Sequence, residues 1–352
     1  MDYKKEIDDL VNLILKEGAS DLHLSVGRNP VIRTSGALIP LMKKPTLTEA
    51  DMKGFVNVFL SSANKTLLEE TKNVDFSYSL THARFRGNIY YHQGVISVAL
   101  RLIPKVIRTL SDLNLPPILE TFTRKAQGFF LVVGPIGQGK TTTLATLIEL
   151  INQTRTEHIL TIEDPIEYLF ESKKSIIDQR EVRIDTPDFP DALVAMFRED
   201  IDVAMVGEMR DANTISTAVT AAETGHLIFS TLHTNNAAQT VDRIIDSFSP
   251  SQQDQIRVQL AGSLTGIFSQ RLIPRVSGGL IPAYELLINN NAVSNLIRER
   301  RTHELNTVIE TSSQEGMIDM NRSLAELVRA GEISVESAYM NSLNPKTLER
   351  MI

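Results

Sequence analysis

The sequence predicts an α/β protein built around a mostly parallel sheet, and three observations support this fold class. Between residues 128 and 231, short apolar runs alternate with stretches of helical periodicity, which is typical of strand–helix–strand units. Residues 134–141 read GPIGQGKT, a complete G-x-x-x-x-G-K-[ST] phosphate loop between one such run and a helical stretch. Residues 1–104 show the mixed helical and alternating patterns of a smaller α+β domain.

Composition restricts the classes of protein that this chain can represent. Its 352 residues suggest two or three folding units, and 42% apolar with 22% charged residues is typical of a globular protein. The absence of Cys excludes disulfides and thiolate-bound zinc or iron–sulfur clusters. No stretch approaches the roughly 20 apolar residues needed to cross a bilayer, so we expect a cytoplasmic protein. A net charge of −7 and the lack of Trp argue against nucleic acid as a partner.

The N-terminal region predicts a small domain with a largely antiparallel sheet. Apolar residues at helical spacing predict an opening helix that ends at Gly18. The remaining patterns predict two helices, at 49–60 and 64–70, and six strands, at 20–26, 31–34, 37–42, 74–80, 83–91 and 94–103. Prolines and weak periodicity then predict a linker over residues 105–117.

The next region, residues 118–288, predicts the α/β domain. Its predicted strands and helices are, in order, 128–133, 140–152, 158–162, 175–178, 189–198, 203–206, 214–223 and 227–231. From about Ser251 onward the signals are mainly helical, with one strand-like run at 282–288. Residues 289–352 are therefore predicted to form a helical subdomain.

The phosphate loop predicts a nucleoside triphosphate site. Its glycines let the backbone curl around phosphate oxygens, and the following helix directs its positive dipole end at them. Lys140 is expected to reach the β and γ phosphates, and the Thr141 hydroxyl to coordinate Mg²⁺. An ordinary strand-to-helix turn rich in glycine is the alternative, but the flanking patterns favour the loop. The predicted binding residues are Gly134, Pro135, Ile136, Gly137, Gln138, Gly139, Lys140, Thr141 and Thr142.

Hydrolysis also needs a carboxylate that orients water, and two strand ends offer one. Glu208 follows the apolar run 203–206, and Glu163 follows the run 158–162. Ligands of parallel α/β sheets bind beyond the carboxyl ends of the strands. We expect Glu208 to position or activate water, because its strand should lie beside the phosphate-loop strand, and Glu163 to be the second candidate. Gly207 stands where an Asp often helps to hold Mg²⁺. Either carboxylate could instead be a solvated strand end.

Two histidines, His226 and His233, frame the strand predicted at 227–231. A shared metal is conceivable, but the two imidazoles should lie at opposite ends of the strand, and no Cys supports a zinc site. We therefore predict that both make polar contacts near the γ phosphate.

Charge that develops during phosphoryl transfer is commonly stabilised by arginine, which a neighbouring subunit can supply. Arg84, Arg86 and Arg101 on predicted strands of the first domain are the candidates for this catalytic role. They could equally be ordinary exposed strand arginines.

These motifs together resemble the type II/IV secretion ATPase superfamily and, within it, the twitching-motility ATPases that retract type IV pili. The likeness spans nearly the whole chain. Its parts are an opening signature at 18–24, a Walker A loop at 134–142, an aspartate box at 162–167, a Walker B segment at 206–211 and a histidine box at 224–234.

The resemblance implies a PAS-like N-terminal domain, a RecA-like ATPase domain and ATP with Mg²⁺ as ligands. It also implies a homohexameric ring with nucleotide sites between subunits and arginines donated by the small domain. The expected location is the cytoplasmic face of the inner membrane at the pilus base. There the expected partner is an inner-membrane platform protein, and a paralogous retraction ATPase is a further candidate.

The chain departs from the family pattern at several positions. A Gly is usual where Arg300 stands in the C-terminal signature 295–301, and Ile136, Gln138 and Ile201 replace the usual Thr, Ser and Pro. An assembly or secretion ATPase of the same superfamily is disfavoured, because those proteins usually carry a four-cysteine zinc motif. A non-hydrolysing ring partner stays open, as do the pilus system served, the ring composition and symmetry, and the direction of force.

Overall fold

The computed structural model describes residues 2–34, 36–80, 83–103 and 106–352. The chain divides into two compact units: the first contains residues 1–106 and 165–169, and the second contains 107–164 and 170–352. Pro104 and Lys105, at the predicted limit between the first domain and the linker, lie outside the described residues. No helix in the described ranges is long and apolar enough to span a membrane.

The first unit is an antiparallel sheet covered by helices, as predicted. The sheet has the strand order β3-β2-β1-β6-β5-β4. Its strands are β1 (Asp21–Ser25), β2 (Val31–Thr34), β3 (Ala37–Pro40), β4 (Asn73–Leu80), β5 (Ala83–His92) and β6 (Val95–Ile103). The helices are α1 (Tyr3–Glu17), α2 (Glu49–Phe59) and α3 (Ser62–Thr71).

Local signals explain where these helices begin and end. Asp2 caps the start of α1, and Gly18 ends it with a φ of 60°, in the left-handed region that glycine adopts without strain. Thr48 and Asp51 form a capping box at the start of α2. Alternating residues of the sheet, such as Phe85 and Ile89, are buried in a core with apolar residues of α1 and α2.

The second unit contains a seven-stranded sheet with the order β13-β12-β7-β11-β10-β8-β9. Its strands are β7 (Gly128–Val133), β8 (His158–Glu163), β9 (Ile176–Glu181), β10 (Val203–Val206), β11 (Leu227–Leu232), β12 (Leu264–Pro274) and β13 (Leu280–Ile288). The strands from β12 to β9 pair in parallel, whereas β13 pairs with β12 in the antiparallel sense. The predicted α/β class with a mostly parallel sheet is confirmed.

Helices accompany this sheet along the chain. They are α4 (Glu120–Thr123), α5 (Lys140–Thr154), α6 (Phe189–Met196), α7 (Ala212–Glu223), α8 (Ala237–Asp246), α9 (Gln253–Ser263), α10 (Asn291–Arg298), α11 (Leu305–Thr311), α12 (Met320–Arg329), α13 (Val335–Asn341) and α14 (Pro345–Glu349). Short 3-10 turns lie at Pro117–Leu119, Thr302–Glu304 and Ser313–Glu315. All six residues of β7 are buried, as expected for a central strand with helices on both faces.

Two expectations about this sheet were wrong. Strand β12 falls in a region predicted to be mainly helical, because it follows α9 directly and its apolar residues are buried without strict alternation. The strand that precedes Glu208, β10, was expected beside the phosphate-loop strand. It pairs instead with β8 and β11, and β11 separates it from β7.

The segment predicted as a linker belongs to the second unit from Ile107 onward. Its Leu110 and Leu115 are buried in the same apolar cluster as Phe130 of β7. At the other end of the chain, α12 packs its Leu324 against Ala283 of β13. The C-terminal helices and the seven-stranded sheet thus belong to one compact unit. The domain boundaries predicted after residues 117 and 288 stay predictions.

Candidate nucleotide-binding site

The phosphate loop leaves the carboxyl end of β7 and leads into α5. Gly134, Gly137 and Gly139 have φ values of 145°, 78° and 78°, which residues with a Cβ rarely adopt. Gly139 is the residue before α5, and no side chain caps this helix start. The loop and the start of α5 therefore have the backbone shape that cradles phosphate.

The side chain of Lys140 points back into this loop. Its Nζ donates hydrogen bonds to the carbonyl oxygens of Gly134 and Pro135, both at 2.9 Å, and lies 3.2 Å from Nδ1 of His233. The residue is only 7% exposed. The ammonium group is thus held where the motif predicts that it meets phosphate oxygens.

The two predicted carboxylates lie at neighbouring strand ends. The register pairs Val206 of β10 with Ile162 of β8, and the backbone N–H of Gly207 donates to the Ile162 carbonyl at 2.8 Å. Glu163, the last residue of β8, is therefore beside Gly207 and one residue away from Glu208. The structure brings both candidates to the edge of the sheet at which the phosphate loop lies.

The environments of these carboxylates differ. Glu163 is 3% exposed and accepts hydrogen bonds from Thr161 Oγ1 at 2.7 Å and from Gln179 Nε2 at 3.2 Å. Glu208 is less enclosed and forms an ion pair with Arg210. The hydrogen bond from Arg210 to Glu208 raises the pKa of this guanidinium above its usual value. Glu208 is therefore oriented by a residue on its own loop.

His233 connects the lysine with Glu208. It follows β11, the strand between β7 and β10, so its ring lies between the two strand ends that carry these groups. Its Nε2 is 3.5 Å from Oε2 of Glu208, while its Nδ1 faces Lys140. The strand order that separates β10 from β7 thus supplies the residue that links them.

His226 does not join this group. Within a single chain, the structure does not place His226 near the phosphate loop, which corrects the predicted polar contact of this residue near the γ phosphate. His226 precedes β11, and its carbonyl accepts a hydrogen bond from the N–H of Gly128 at the start of β7. It therefore lies at the edge opposite to the phosphate loop, about 20 Å away for a six-residue strand. Its Nδ1 contacts the carbonyl of Ala221 at 3.0 Å, and its ring lies edge-on to Phe197.

The three predicted arginines share one face of the first unit's sheet. Arg86 of β5 pairs with Arg101 of β6, and Arg84 lies two residues before Arg86, on the same face. Arg101 Nε donates to Asp21 Oδ1 at 2.8 Å. Arg86 is 3.5 Å from Glu167, and Arg84 donates to Ser79 at 3.3 Å.

Asp21 shows how this face holds charge. Burial by itself would raise the pKa of the Asp21 carboxyl, but hydrogen bonds from Ser20 and Arg101 outweigh it and keep the pKa below the ordinary value. The carboxylate therefore stays ionised and fixes one of the three arginines.

A magnesium ion would have oxygen ligands here. Thr141 lies on the first turn of α5, where its hydroxyl suits a hard cation. Within the described ranges, no group of three or more His, Asp or Glu residues is arranged to hold a metal. A Cβ added to Gly207 would lie 3.3 Å from the Ile162 carbonyl oxygen, so close packing of β10 on β8 accounts for glycine at this position.

Sequence reasoning missed Gln270, a buried residue of β12 that contacts both the phosphate loop and α5. The only signal was a lone uncharged amide within a largely apolar run.

The backbone conformation at Arg300 explains why the C-terminal signature usually has a glycine at this position. Arg300 has a φ of 61°, in the left-handed region, two residues after α10 ends. A glycine would adopt this conformation without strain. The Arg300 side chain forms an ion pair with Asp254 at 2.5 Å.

The parallel sheet, the glycine-lined loop and the carboxylates at the same sheet edge are the features of a phosphate-loop nucleoside triphosphatase. Comparison with known proteins narrows this class. The family model for "Type II/IV secretion system protein" matches residues 3–330. The chain belongs to this family.

Individual relatives extend the similarity over nearly the whole chain. The "Type IV pilus retractation ATPase PilT" of Pseudomonas aeruginosa is 40% identical over 342 residues, which are 97% of this chain and 99% of that protein. A "Twitching motility protein" of Neisseria gonorrhoeae is 42% identical over 321 residues, 91% of this chain and 86% of that protein. A crystal structure of the pilus retraction motor PilT with bound ADP superimposes with a TM-score of 0.91 at 45% identity, covering 97% of this chain and 98% of that one. The predicted family, fold and ATPase class are confirmed.

Proposed function

We propose that this chain is an ATP-hydrolysing motor that powers retraction of type IV pili and thereby twitching motility. The supporting observation is 40% identity to a retraction ATPase over 97% of this chain and 99% of that protein. The intact phosphate loop and the carboxylates beside it provide the chemistry that such a motor needs.

Lys140 and the loop backbone bind the triphosphate. In the structure the lysine ammonium rests on the carbonyls of Gly134 and Pro135. A phosphate oxygen is a stronger acceptor than a neutral carbonyl, so the ammonium exchanges these contacts for the substrate with little movement of the loop. Thr141 contributes the protein ligand to Mg²⁺, which when bound shields the negative charge of the phosphates.

Glu208 orients the attacking water and accepts its proton. The ion pair with Arg210 and the nearby His233 ring hold this carboxylate at the sheet edge. Glu163 is buried, and its Oε1 accepts hydrogen bonds from Thr161 and Gln179, so a substrate water reaches this carboxylate less readily than it reaches Glu208. Its role is to fix the end of β8 and to support Glu208 through the adjoining strand.

The motor acts as a homohexameric ring in which Arg84, Arg86 and Arg101 serve the nucleotide site of a neighbouring subunit. Their arrangement on one sheet face supports a common role. Binding and release of nucleotide then change how adjacent subunits contact each other. The ring works at the cytoplasmic face of the inner membrane, on a platform protein, with or without a paralogous ATPase.

Two measurements test this function. Purified protein should hydrolyse ATP, and a wild-type protein without turnover would support a non-hydrolysing ring partner instead. Cells that lack the chain should carry excess pili and lose surface movement. Cells without pili would indicate an assembly ATPase and would contradict retraction.

A further inference from the structure

Strand β12 extends beyond the phosphate-loop strand that it pairs with. Its last pair with β7 is Ser269 with Val133, yet β12 continues to Pro274. The residues beyond this pair therefore run alongside the loop that follows β7. They form a rigid wall on one side of the nucleotide site, because β13 pairs with them along their other edge.

Gln270 uses both ends of its side-chain amide on this loop and the helix after it. Its Nε2 donates to the carbonyl oxygen of Gln138 at 2.6 Å, and its Oε1 accepts from Thr143 Oγ1 at 2.7 Å. Gln270 is 3% exposed and Thr143 is 1% exposed, so neither bond competes with bulk water. One buried amide thus ties the loop and the first turn of α5 to the same strand.

Gln138 makes a reciprocal contact. Its Oε1 accepts a hydrogen bond from the backbone N–H of Leu272 at 2.6 Å. Leu272 lies beyond the last pair between β12 and β7, so no β7 carbonyl is available to this N–H. The loop side chain takes the place of the missing strand partner. We call Gln138, Gln270 and Leu272 the loop clamp.

The glycines of the loop allow this close approach. A Cβ on Gly134 would clash with the carbonyl oxygen of Gln270, and a Cβ on Gly139 would lie 3.0 Å from Gln270 Nε2 and 3.3 Å from Leu272 Cδ1. The first and last glycines of the motif are therefore packed against the same strand. This packing is a requirement additional to the positive φ values.

We propose that Gln270 is a positioning residue of the ATPase site, which holds the phosphate loop in its nucleotide-binding shape before nucleotide arrives, with Gln138 as its counterpart. The inference rests on the proposed function, since it assigns a role within that site. A loop that is ordered in advance loses less conformational entropy when it binds phosphate, so the clamp increases nucleotide affinity. It also fixes the loop against α5, which carries Lys140 and Thr141.

The test is calorimetric titration of the full-length protein with ADP, together with ATPase kinetics. Gln270→Ala should weaken ADP binding by about tenfold, the loss expected for one or two buried hydrogen bonds. The KM for ATP should rise by a similar factor and kcat should fall less. ADP affinity within about twofold of the wild-type value would overturn the proposal.

Two further variants keep the test decisive if the alanine variant folds poorly. Gln270→Glu preserves size and the acceptor for Thr143 but removes the donor to the Gln138 carbonyl, so it should also bind ADP weakly. Gln138→Ala removes only the bond to Leu272 and should weaken ADP binding by several-fold. Wild-type ADP affinity in either variant would contradict the clamp.

Ser263→Ala is the matched control. Ser263 is a buried polar residue that directly precedes β12, and its hydroxyl bonds to the Gln259 carbonyl, away from the loop. This variant should lower the thermal midpoint without changing ADP affinity, as any purely structural role would. If the wild-type protein binds ADP but does not hydrolyse ATP, the proposed motor function fails while the ADP titrations still decide the clamp.

Discussion

The two sheets of this protein gather functional residues in different ways. The parallel sheet of the second unit collects Lys140, Glu208 and His233 at one edge, because each follows the carboxyl end of a strand. The antiparallel sheet of the first unit collects Arg86 and Arg101 on one face, through strand register. The first cluster therefore depends on strand order, whereas the second depends on alternation within strands.

The two units also differ in how each holds a buried carboxyl group. Asp21 in the first unit has Arg101 and Ser20 as partners, and its pKa is lowered. Glu285 on β13 of the second unit is buried, and this burial raises its pKa to about 7. The hydrogen bond from the Ala237 N–H and the charge of Arg271 oppose that shift without overcoming it, while Asp319 adds to it. The cross-strand pair with Arg101 thus keeps the Asp21 carboxyl ionised, whereas burial keeps the Glu285 carboxyl protonated through much of the acidic range.

The largest expected effect on activity comes from the cluster of Lys140, Glu208 and His233 at the edge of the parallel sheet. Lys140→Ala should reduce ATP turnover by on the order of 10³-fold, since it removes the ammonium that stabilises charge on the phosphates. A malachite-green phosphate assay measures this loss. Lys125→Ala, an exposed lysine of the same unit, is the control and should keep normal turnover. Substantial activity without Lys140 would disprove the assignment of this edge as the nucleotide site.

Glu208→Gln should separate binding from chemistry. We expect turnover to fall by about 10²-fold while ADP affinity stays close to that of the wild type, because an amide can hold water but cannot accept its proton. Glu163→Gln should lose less turnover than Glu208→Gln. The reverse ranking would assign the water-orienting role to Glu163. Glu310→Gln, an exposed helix position, serves as the control.

Glu285→Gln tests the enclosed carboxyl. The folded-state pKa lies above the unfolded value of 4.5, so the folded protein binds the proton more tightly, and this group makes stability fall as pH rises from about 4.5 to about 7. A rise of this size corresponds to about 3 kcal/mol. The variant resembles the protonated acid and should therefore gain about this stability over the wild type at about pH 8, but little at about pH 4.

Urea denaturation at the two pH values measures the difference for Glu285→Gln. Glu349→Gln, at an exposed position of α14, serves as the control. An equal effect of Glu285→Gln at both pH values would mean that the carboxyl is not protonated preferentially in the folded protein.

The smallest expected effect is on stability, at the face of the first unit's sheet that carries Arg84, Arg86 and Arg101. Arg101→Ala should destabilise the first unit by about 1 kcal/mol, because the buried Asp21 loses one hydrogen-bond partner and keeps Ser20. The pKa of Asp21 is lowered in the folded state, so this stabilisation is present above about pH 4 and disappears in more acidic solution. Hydrogen exchange of β1 and β6 amides measures the loss. Arg124→Ala, which breaks a surface pair with Glu120, should change stability by less than about 0.5 kcal/mol.

Much of this arrangement was readable from the sequence because its signals are local. The limits of β7 and β10 agree with their predictions, since glycine or charged residues bound short apolar runs. Strand β5 was predicted at 83–91 and observed at Ala83–His92, because its apolar and polar residues alternate. The opening helix and its end at Gly18 also follow from neighbouring residues.

The remaining features depend on contacts between distant parts of the chain. Nothing local shows that β11 pairs between β7 and β10, so the link from Lys140 through His233 to Glu208 was not foreseen. Strand β12 continues directly from a helix and has no distinct start signal. The role of Gln270 depends on that strand, and it became visible only once the pairing of β12 with β7 was known.

The bare backbone at Gly207 has a consequence for the cation. A Cβ at this position would lie 3.3 Å from the Ile162 carbonyl oxygen, so a longer residue would require β8 to shift, and glycine itself offers no carboxylate to a metal. A Mg²⁺ ion that accompanied the substrate would take most of its ligands from phosphate and solvent oxygens, and Thr141 would be the protein residue placed to hold it. An ion held in this way would leave together with the spent nucleotide, which would suit an ATPase that empties its site in every cycle.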